Sequence, residues 1–196
     1  MTGARVCRAR NLVALAFALS IPACSSAPPD LHAPGAGLES SGPMIAAPGG
    51  FQPPPPPPLS ARMSCVPYAR AVTGIDIRGD AWRWWDQADG RYARGAVPTP
   101  YAVLVLTQGV RLGLGHLAVV RQVLDRRRIR VDHANWRNDG RIVTDMTVVD
   151  VSAANDWTEV RFWNSAAAQW GNVYVAKGFI YPPGIEPSGA TAELTP

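Results

Sequence analysis

The sequence predicts an α+β domain in which helices come first and an antiparallel β-sheet follows. Residues 64–90 carry helix start and stop residues, whereas the residues beyond Pro98 form short β-branched or aromatic runs separated by turn residues. Helices that precede the strands, rather than alternating with them, are typical of α+β domains. The domain is expected over residues 61–181, a length that suffices for one compact core.

The first helix is predicted between Ser64 and Gly74. Ser64 is a good N-cap, Pro67 falls in the first turn where its missing N–H costs nothing, and Gly74 is placed to end the helix. Cys65 then lies in the first turn, where free backbone N–H groups and the helix dipole favour the thiolate. This stretch alone is equally consistent with a small buried hydrophobic residue at position 65.

A second, shorter helix is predicted between Asp80, as its N-cap, and Gly90. Trp82 and Trp85 are spaced to share one face of this helix, and Trp84 points elsewhere. At least one of these rings is expected in the core, and a ring at the rim of a cleft is the functional alternative.

Six strands are predicted from the apolar runs of the second half of the chain. The run of arginines at 126–128 separates two of them and is interpreted as a solvated hairpin turn rather than a phosphate-binding patch. The predicted strands are Tyr101–Leu106, Leu117–Leu124, Ile129–Asn135, Met146–Val151, Glu159–Trp163 and Ala176–Tyr181.

The first 23 residues have the layout of a signal peptide. Three arginines precede the apolar run 12–19, which is too short to span a bilayer. The residues Ile-Pro-Ala-Cys that end at Cys24 resemble the lipobox of bacterial lipoproteins, in which the cysteine is lipidated. Cleavage after Ala23 by an ordinary signal peptidase is the alternative.

A lipid on Cys24 would anchor the exported protein to a membrane. Because Ser25 stands in place of the aspartate associated with inner-membrane retention, the expected location is the periplasmic face of the outer membrane. Residues 24–60 are rich in proline, include the unbroken run Pro53–Pro58, and predict a disordered tether. Residues 182–196 are predicted to form a disordered tail.

Charge and composition exclude some partners. The formal charge of +4 includes three arginines of the signal, so the mature chain carries 4 − 3 = +1, and a nucleic-acid partner is not indicated. Neither an internal repeat nor a transmembrane span is predicted, and a monomer is expected. Two histidines without a neighbouring set of carboxylates or cysteines make a poor metal site, so no metal or other cofactor is expected.

Cysteine usage points to chemistry. Cys7 leaves with the signal and Cys24 is the predicted lipid anchor, so the exported domain keeps the single cysteine Cys65. An internal disulfide is then impossible. A lone thiol in an oxidising compartment is better explained by a chemical role than by packing.

Two histidines of the domain, His116 and His133, flank one predicted hairpin. If residues 125–128 form a turn with a two-residue loop, residue 120 faces His133 and both histidines project from the same face of the sheet. Asn135 then joins them and Asp132 points away. A register shift of one residue would exchange Asp132 for His133.

Several short motifs, in this order, resemble the CHAP family of cysteine, histidine-dependent amidohydrolases/peptidases over essentially the whole domain. The resemblance implies a papain-like α+β fold, Cys65 as nucleophile and His116 as base, and its members commonly cleave amide bonds in bacterial peptidoglycan. Trp82, Trp136 and Tyr68 are the candidates for substrate binding. The motifs are Ser64-Cys65-Val66-Pro67-Tyr68, Trp82 within Gly-Asp-Ala-Trp, Gly115-His116-Leu117-Ala118-Val119-Val120 and Val131-Asp132-His133-Ala134-Asn135-Trp136.

Two positions depart from the family pattern. His133 stands where the family usually has the glutamate of Glu-x-Asn-Trp, so the third catalytic residue is His133 or Asn135, or Asp132 if the register is shifted. A neutral acceptor is sufficient to orient His116, and the related NlpC/P60 peptidases often use histidine. Tyr101 replaces a glycine that usually precedes an apolar strand, and it is expected to fill space near the cleft.

The implied reaction is amide hydrolysis through a thiolate–imidazolium pair and an acyl-enzyme, with the peptide part of peptidoglycan as substrate. The sequence does not choose between a stem-peptide amidase and a cross-link endopeptidase. Two alternatives stay open. One is a catalytically silent lipoprotein that binds the cell wall, and the other is an amidase of a small soluble amide.

Overall fold

The computed structural model describes residues 50–187. The predicted signal peptide, the lipidation site Cys24, the greater part of the predicted tether and the last residues of the predicted tail lie outside the described residues. None of the helices between residues 50 and 187 combines the length and the apolar character needed to cross a membrane.

Helix α1, Cys65–Thr73, begins and ends where its sequence predicts. Ser64 has the extended backbone of an N-cap, although its side chain makes no capping hydrogen bond. Gly74 ends the helix with a left-handed φ of 71°, a conformation that glycine adopts without steric cost, and its N–H donates to the Arg70 carbonyl. The face that α1 buries consists of Tyr68, Ala69, Val72 and Thr73.

The predicted second helix is a 3-10 turn, Ala81–Arg83, followed by the single turn α2, Trp84–Gln87. Trp84 is fully buried and belongs to the core, whereas Trp82 and Trp85 are half-buried. The Arg83 guanidinium lies 4.8 Å above the Trp82 ring. The expectation that at least one tryptophan of this segment is a core residue is therefore met by Trp84.

Seven antiparallel strands follow, and six of them close into a barrel. The long strand β7 pairs with β6 through its first half and with β2 through its second half, while the short β1 adds to its edge. The sheet order is β1-β7-β2-β3-β4-β5-β6. The strands are β1 Arg94–Gly95, β2 Val103–Leu106, β3 His116–Val123, β4 Arg128–Ala134, β5 Ile142–Asp150, β6 Glu159–Asn164 and β7 Gln169–Ile180.

The domain has two hydrophobic layers, one on each face of the barrel wall. The interior holds the first layer, which includes Leu104, Val120 and Phe162. The second lies between the outer wall and the helices, where Val105 and Leu117 meet the buried face of α1. This mixed domain, with few helices and a strand-rich barrel, has the predicted order of helices before strands.

The β3–β4 register differs from the predicted one by two residues. The connecting loop is longer than two residues, so Val123 pairs with Ile129, and an irregularity at Arg121 shifts the pairing again so that Val120 faces Val131 instead of His133. Each step moves the register by one residue, and two steps restore the parity. His133 therefore shares the interior face with His116, as predicted. The pairing between the two strands, however, was predicted wrongly.

The arginine run at 126–128 lies at the β3–β4 turn, as expected, but Arg127 is not simply solvated. Its guanidinium donates to the carbonyl oxygens of Asp150 and Ser152. It therefore ties the hairpin to the end of β5, and the prediction of a purely solvated turn was wrong at this residue.

The described part of the predicted tether lies against the domain. Phe51 is half-buried, its ring is 5.3 Å from that of Tyr101, and the following prolines cover Tyr68 and Val72. Tyr101 itself has a φ of 70°, a left-handed conformation that suits the glycine expected there. Phe51 packs against this residue, and a disordered tether as far as residue 60 is therefore not what the structure shows.

The predicted tail also begins too early. Pro182 and Ile185 are buried, and Ile185 is part of the barrel's interior layer. The polar and proline-rich composition beyond residue 181 hid this single apolar anchor.

We expect Phe51→Ala to lower the free energy of unfolding by about 1–2 kcal/mol, because it removes a half-buried ring and its contact with a strained tyrosine. Urea unfolding followed by tryptophan fluorescence measures the change. Leu59→Ala is the control, since Leu59 is 64% exposed. Equal stability of the two variants would show that the proline segment does not contribute to the fold.

Candidate active site

Cys65 and His116 line one open cavity of about 370 Å³. Cys65 is the first residue of α1, and His116 is the first residue of β3. The cavity lies where the start of the helix meets the start of the strand. Its other lining residues come from the start of α1, from the start of the 3-10 turn and from the segments before β3 and after β4; they are Ser64, Val66, Pro67, Gly79, Asp80, Ala81, Arg111, Leu112, Gly113, Leu114, Gly115, Asn135, Trp136 and Asn138.

The Cys65 thiol is half-buried and lies against the backbone of Leu117, the residue after His116. Burial raises the pKa of the thiol, while the backbone N–H groups of Leu117, Val66 and Cys65 itself act in the opposite direction. On balance, the pKa of the Cys65 thiol is raised. Burial is thus the larger influence on this pKa, and the backbone N–H groups at the helix start act against it, in the direction that the sequence suggested.

A tight contact positions the residue before His116. Gly115 has a φ of 69°, and a Cβ there would lie 2.7 Å from the Trp82 nitrogen and 2.8 Å from the Leu106 carbonyl oxygen. The Trp82 N–H donates to the Leu114 carbonyl. Only glycine fits between these backbones, so the turn before β3 and the tryptophan segment hold each other in place.

His116 and His133 form a buried pair. The His116 Nε2 and His133 Nδ1 atoms are 2.9 Å apart, and the rings are nearly perpendicular. Burial, together with the neighbouring His133, holds the pKa of His116 well below its usual value. His116 Nδ1 is the ring nitrogen that His133 does not engage.

Aromatic rings surround His133, which is fully buried. Phe162 stacks on it at 5.8 Å, and Trp136 lies 5.2 Å from it and 4.9 Å from His116. Desolvation lowers the pKa of His133 to about 3, and its Nε2 has no hydrogen-bond partner among the described residues. His133 is therefore a neutral ring near pH 7, where the usual glutamate would be an anion.

Asn135 stands at the edge of the same cavity but is committed to its own loop. Its Oδ1 accepts from the Gly140 N–H at 2.7 Å, and its N–H donates to the Arg141 carbonyl. Its φ of 64° is a left-handed conformation that asparagine tolerates. The expectation that its carbonyl accepts from His116 is thus not supported, because His116 Nε2 meets His133 Nδ1, whereas the Asn135 oxygen accepts from Gly140.

Asp132 lies on the opposite face of β4, as the preferred interpretation had it. It pairs with Val119, accepts from the Asp145 N–H at 2.7 Å and lies 3.5 Å from the Arg121 guanidinium. The alternative in which a register shift of one residue brings Asp132 to His116 is therefore excluded by the pairing.

The three aromatic candidates for substrate binding have different positions. Trp136 lines the cavity. Tyr68 is buried in α1 beside the proline segment and lines a different cavity. The Trp82 ring is not among the lining side chains, whereas its neighbours Asp80 and Ala81 line the cavity.

Sequence reasoning missed the loop that forms one wall of the cavity. Residues 109–115 read Gly-Val-Arg-Leu-Gly-Leu-Gly, and Arg111 and Leu112 face the cavity while Val110 is fully exposed. The density of glycines immediately before His116 was the available signal. Within residues 50–187, no three histidine, cysteine or acidic side chains are grouped so as to hold a metal ion.

A cysteine at a helix start and a histidine at a strand start, on one cavity, define the class of hydrolase-type sites in which a thiol is the candidate nucleophile. Residues 57–135 match the model of the CHAP domain, and this match confirms the resemblance that the sequence motifs suggested. The matched stretch ends after β4, so β5 to β7 lie beyond it.

Comparison with solved structures gives a partial likeness to a crystal structure of an N-acetylmuramoyl-L-alanine amidase from Staphylococcus aureus. The sequences are 24% identical, the TM-score is 0.37, and the likeness covers 59% of this chain and 30% of that one. The chain thus spans less than a third of that protein. Comparison with curated proteins gave no match.

Because His116 and His133 are buried, we expect the free energy of unfolding to fall in acid. A histidine whose pKa is lowered by folding binds its proton only when the chain unfolds, so stability is present above about pH 6.5 and falls as the pH drops below it. With a folded pKa of about 3, His133 accounts for about 2 kcal/mol of lost stability at pH 5. Urea unfolding at pH 7 and pH 5 measures this loss. The free energy of unfolding should differ less between the two pH values for His133→Asn than for the unmutated protein. An unchanged difference would contradict this assignment.

The state of the thiol gives a second prediction. We expect Cys65 to be alkylated by iodoacetamide with an apparent pKa at or above the roughly 8.5 of a free thiol, because burial raises it. His133→Glu should lower this pKa, since a carboxylate beside His116 would favour the imidazolium and so the thiolate. Asp132→Ala, on the other face of β4, is the control. A thiol pKa well below 8 in the unmutated protein would contradict the prediction.

Proposed function

We propose that this protein is a cysteine-dependent amide hydrolase that acts on the peptide part of peptidoglycan in the cell envelope. The observation that carries the proposal is the shared cavity, in which Cys65 lies against the residue that follows His116. The CHAP domain supports hydrolase chemistry. The family's common substrate and the export signal expected from the sequence support peptidoglycan.

The fold is proposed to be the papain-like arrangement that the family resemblance implies. Cys65 starts a helix that packs on an antiparallel barrel, and His116 starts a strand of that barrel, and both positions support the proposal. This arrangement gives Cys65 and His116 fixed backbones on two different elements, which supports preorganised catalysis.

In the proposed reaction, His116 Nδ1 takes the thiol proton of Cys65 as the sulfur attacks the amide carbonyl carbon. The N–H groups of Cys65 and Val66, which already face the sulfur, are positioned to stabilise the developing oxyanion. The imidazolium then gives its proton to the leaving amine, and the thioester remains. Water, deprotonated by His116, attacks the thioester and releases the acid and the free thiol.

This order of reaction steps determines which ring nitrogen of each histidine carries the proton. For Nδ1 of His116 to accept the thiol proton, its Nε2–H must donate to Nδ1 of His133. His133 then fixes the ring's orientation and accepts from the imidazolium without a charge of its own. We propose that proton transfer accompanies attack, because neither burial at Cys65 nor the neutral His133 favours a resting ion pair.

A second candidate is a catalytically silent lipoprotein that keeps the fold and binds the cell wall. The raised thiol pKa and the neutral partner at position 133 favour it. Either way, we propose attachment to the periplasmic face of the outer membrane through Cys24, with the domain acting as a monomer.

Digestion of purified sacculi, with the products identified by mass spectrometry, tests the proposal. We expect soluble muropeptides from the unmutated protein and none from Cys65→Ala or His116→Ala, because no neighbour replaces either group. The masses distinguish an amidase from an endopeptidase. Intact sacculi together with turnover of a soluble amide would favour a small-molecule amidase, and sacculus binding without any turnover would establish the silent lipoprotein.

The same assay ranks the residues around His116. His133→Ala should cost far more activity, about a hundredfold or more, than Asn135→Ala, because His133 is the ring that contacts His116 while the Asn135 oxygen is bonded to Gly140. Asp132→Ala should leave turnover close to that of the unmutated protein. Greater damage from Asp132→Ala than from His133→Ala would refute the assigned roles.

A further inference from the structure

A second cavity, of about 200 Å³, opens at the mouth of the barrel beside the candidate active site. Strands β5 to β7 and the start of the loop after β4 enclose it, so all of its lining residues lie beyond the stretch that matches the CHAP domain. We call this cavity the mouth cavity. Its lining residues are Trp136, Arg137, Met146, Phe162, Trp163, Asn164, Ser165, Gly171, Asn172 and Tyr174.

The composition of the mouth cavity is that of a site for a neutral polar ligand with an apolar face. Aromatic rings line it together with two asparagines and a serine, and Arg137 is its one charged lining residue. Mouths of β-barrels are common positions for ligand sites, which combine aromatic walls with a few polar groups.

The aromatic walls are fixed in position. Trp136 stacks on Phe162 at 4.5 Å and meets the Tyr174 ring edge-on at 5.3 Å. Trp163, at the rim, is held edge-on by Trp170 across the β6–β7 pairing at 5.2 Å. Such rings present flat apolar faces at little entropic cost on binding.

Gly171, which lines the mouth cavity, has no side chain to extend into it. A Cβ at Gly171 would lie 3.2 Å from the Phe162 carbonyl oxygen, tighter than ordinary contact. Next to it, the side chain of the exposed Asn172 makes no hydrogen bond to another described residue. Asn164 uses its Oδ1 to accept from the Ala167 N–H at the hairpin turn, which fixes the amide at the rim.

From these features we propose that the mouth cavity binds a saccharide ring. One face of a pyranose carries C–H groups that pack on an aromatic ring, and its hydroxyls both donate and accept hydrogen bonds, as asparagine amides do. The volume is below the roughly 300–1,000 Å³ typical of sites for drug-sized ligands and suits one sugar ring.

Trp136 connects the two cavities, because it lines both of them. A ligand in which a sugar is joined to a peptide can therefore place the peptide beside Cys65 and the sugar in the mouth cavity. The identification of this sugar with the amino-sugar chain of peptidoglycan rests on the proposed function. The saccharide site itself rests on the lining of the cavity.

Titration with chitotetraose, a soluble tetramer of N-acetylglucosamine, followed by tryptophan fluorescence tests the site on the whole protein. We expect saturable binding that Trp163→Ala weakens by about tenfold, the effect of losing one stacked ring. Asn172→Ala should also weaken it, and this exposed residue can be changed without disturbing the fold. Gln169→Ala and Val173→Ala, exposed changes on the same strand that do not line the cavity, are the matched controls.

Binding that both lining variants leave unchanged, or no binding at all, would overturn the proposal. A soluble tetrapeptide whose binding alone depends on Trp163 would assign the mouth cavity to peptide and would also overturn it. The titration does not depend on turnover. If sacculi are not digested while chitotetraose still binds through Trp163, the proposed hydrolysis fails and the saccharide site stands.

If both proposals hold, Asn172→Ala should raise the KM for a soluble muropeptide and leave kcat close to that of the unmutated protein. A lowered kcat at unchanged KM would contradict a role in binding alone, since lost ground-state binding appears in KM.

Discussion

The contact between the buried rings of His116 and His133 is the constraint on which the rest of the site depends. The two nitrogens are 2.9 Å apart inside the barrel, where water cannot replace either partner. Both strands must hold their register for this contact to form. The irregularity at Arg121 is what allows it, because without it His133 would face the helix instead of the barrel interior.

A neutral partner changes the electrostatics of the site. A glutamate at position 133 would favour the imidazolium form of His116, whereas His133 has its own pKa lowered to about 3 by burial and supplies only orientation and a hydrogen bond. Stabilisation of negative charge at Cys65 is then left to the backbone N–H groups around the sulfur. A site of this kind gains most from donors that act in the transition state, which is where the helix start contributes.

Some elements could be predicted because the signal is local. The limits of α1 follow from Ser64 and Gly74, and the strand positions follow from β-branched runs between turn residues. The shared face of the two histidines was also predicted. The predicted register was wrong by one residue at each of two places, and a total shift of two residues leaves the face of each side chain unchanged. The face on which a strand residue lies can therefore be predicted correctly even when its pairing partner is not.

Other elements depend on contacts that no local pattern reports. Closure of the barrel requires one long strand, β7, to leave β6 and join β2 near Ala176, and the sequence predicts a strand only from Ala176 onward. Phe51 and Ile185 are single apolar residues in segments whose composition indicates disorder, yet both pack against the barrel's interior layer. One large side chain can dock a segment that contributes nothing else to the core.

Barrel closure also explains why the two cavities adjoin. When β6 and β7 complete the wall, they bring Phe162 against His133 on one side and Tyr174 against Trp136 on the other. The aromatic box that desolvates His133 is therefore the same set of rings that walls the mouth cavity. Packing that holds the histidine pair neutral and rigid thus shapes the adjoining surface, and a change in Phe162 would disturb both cavities at once.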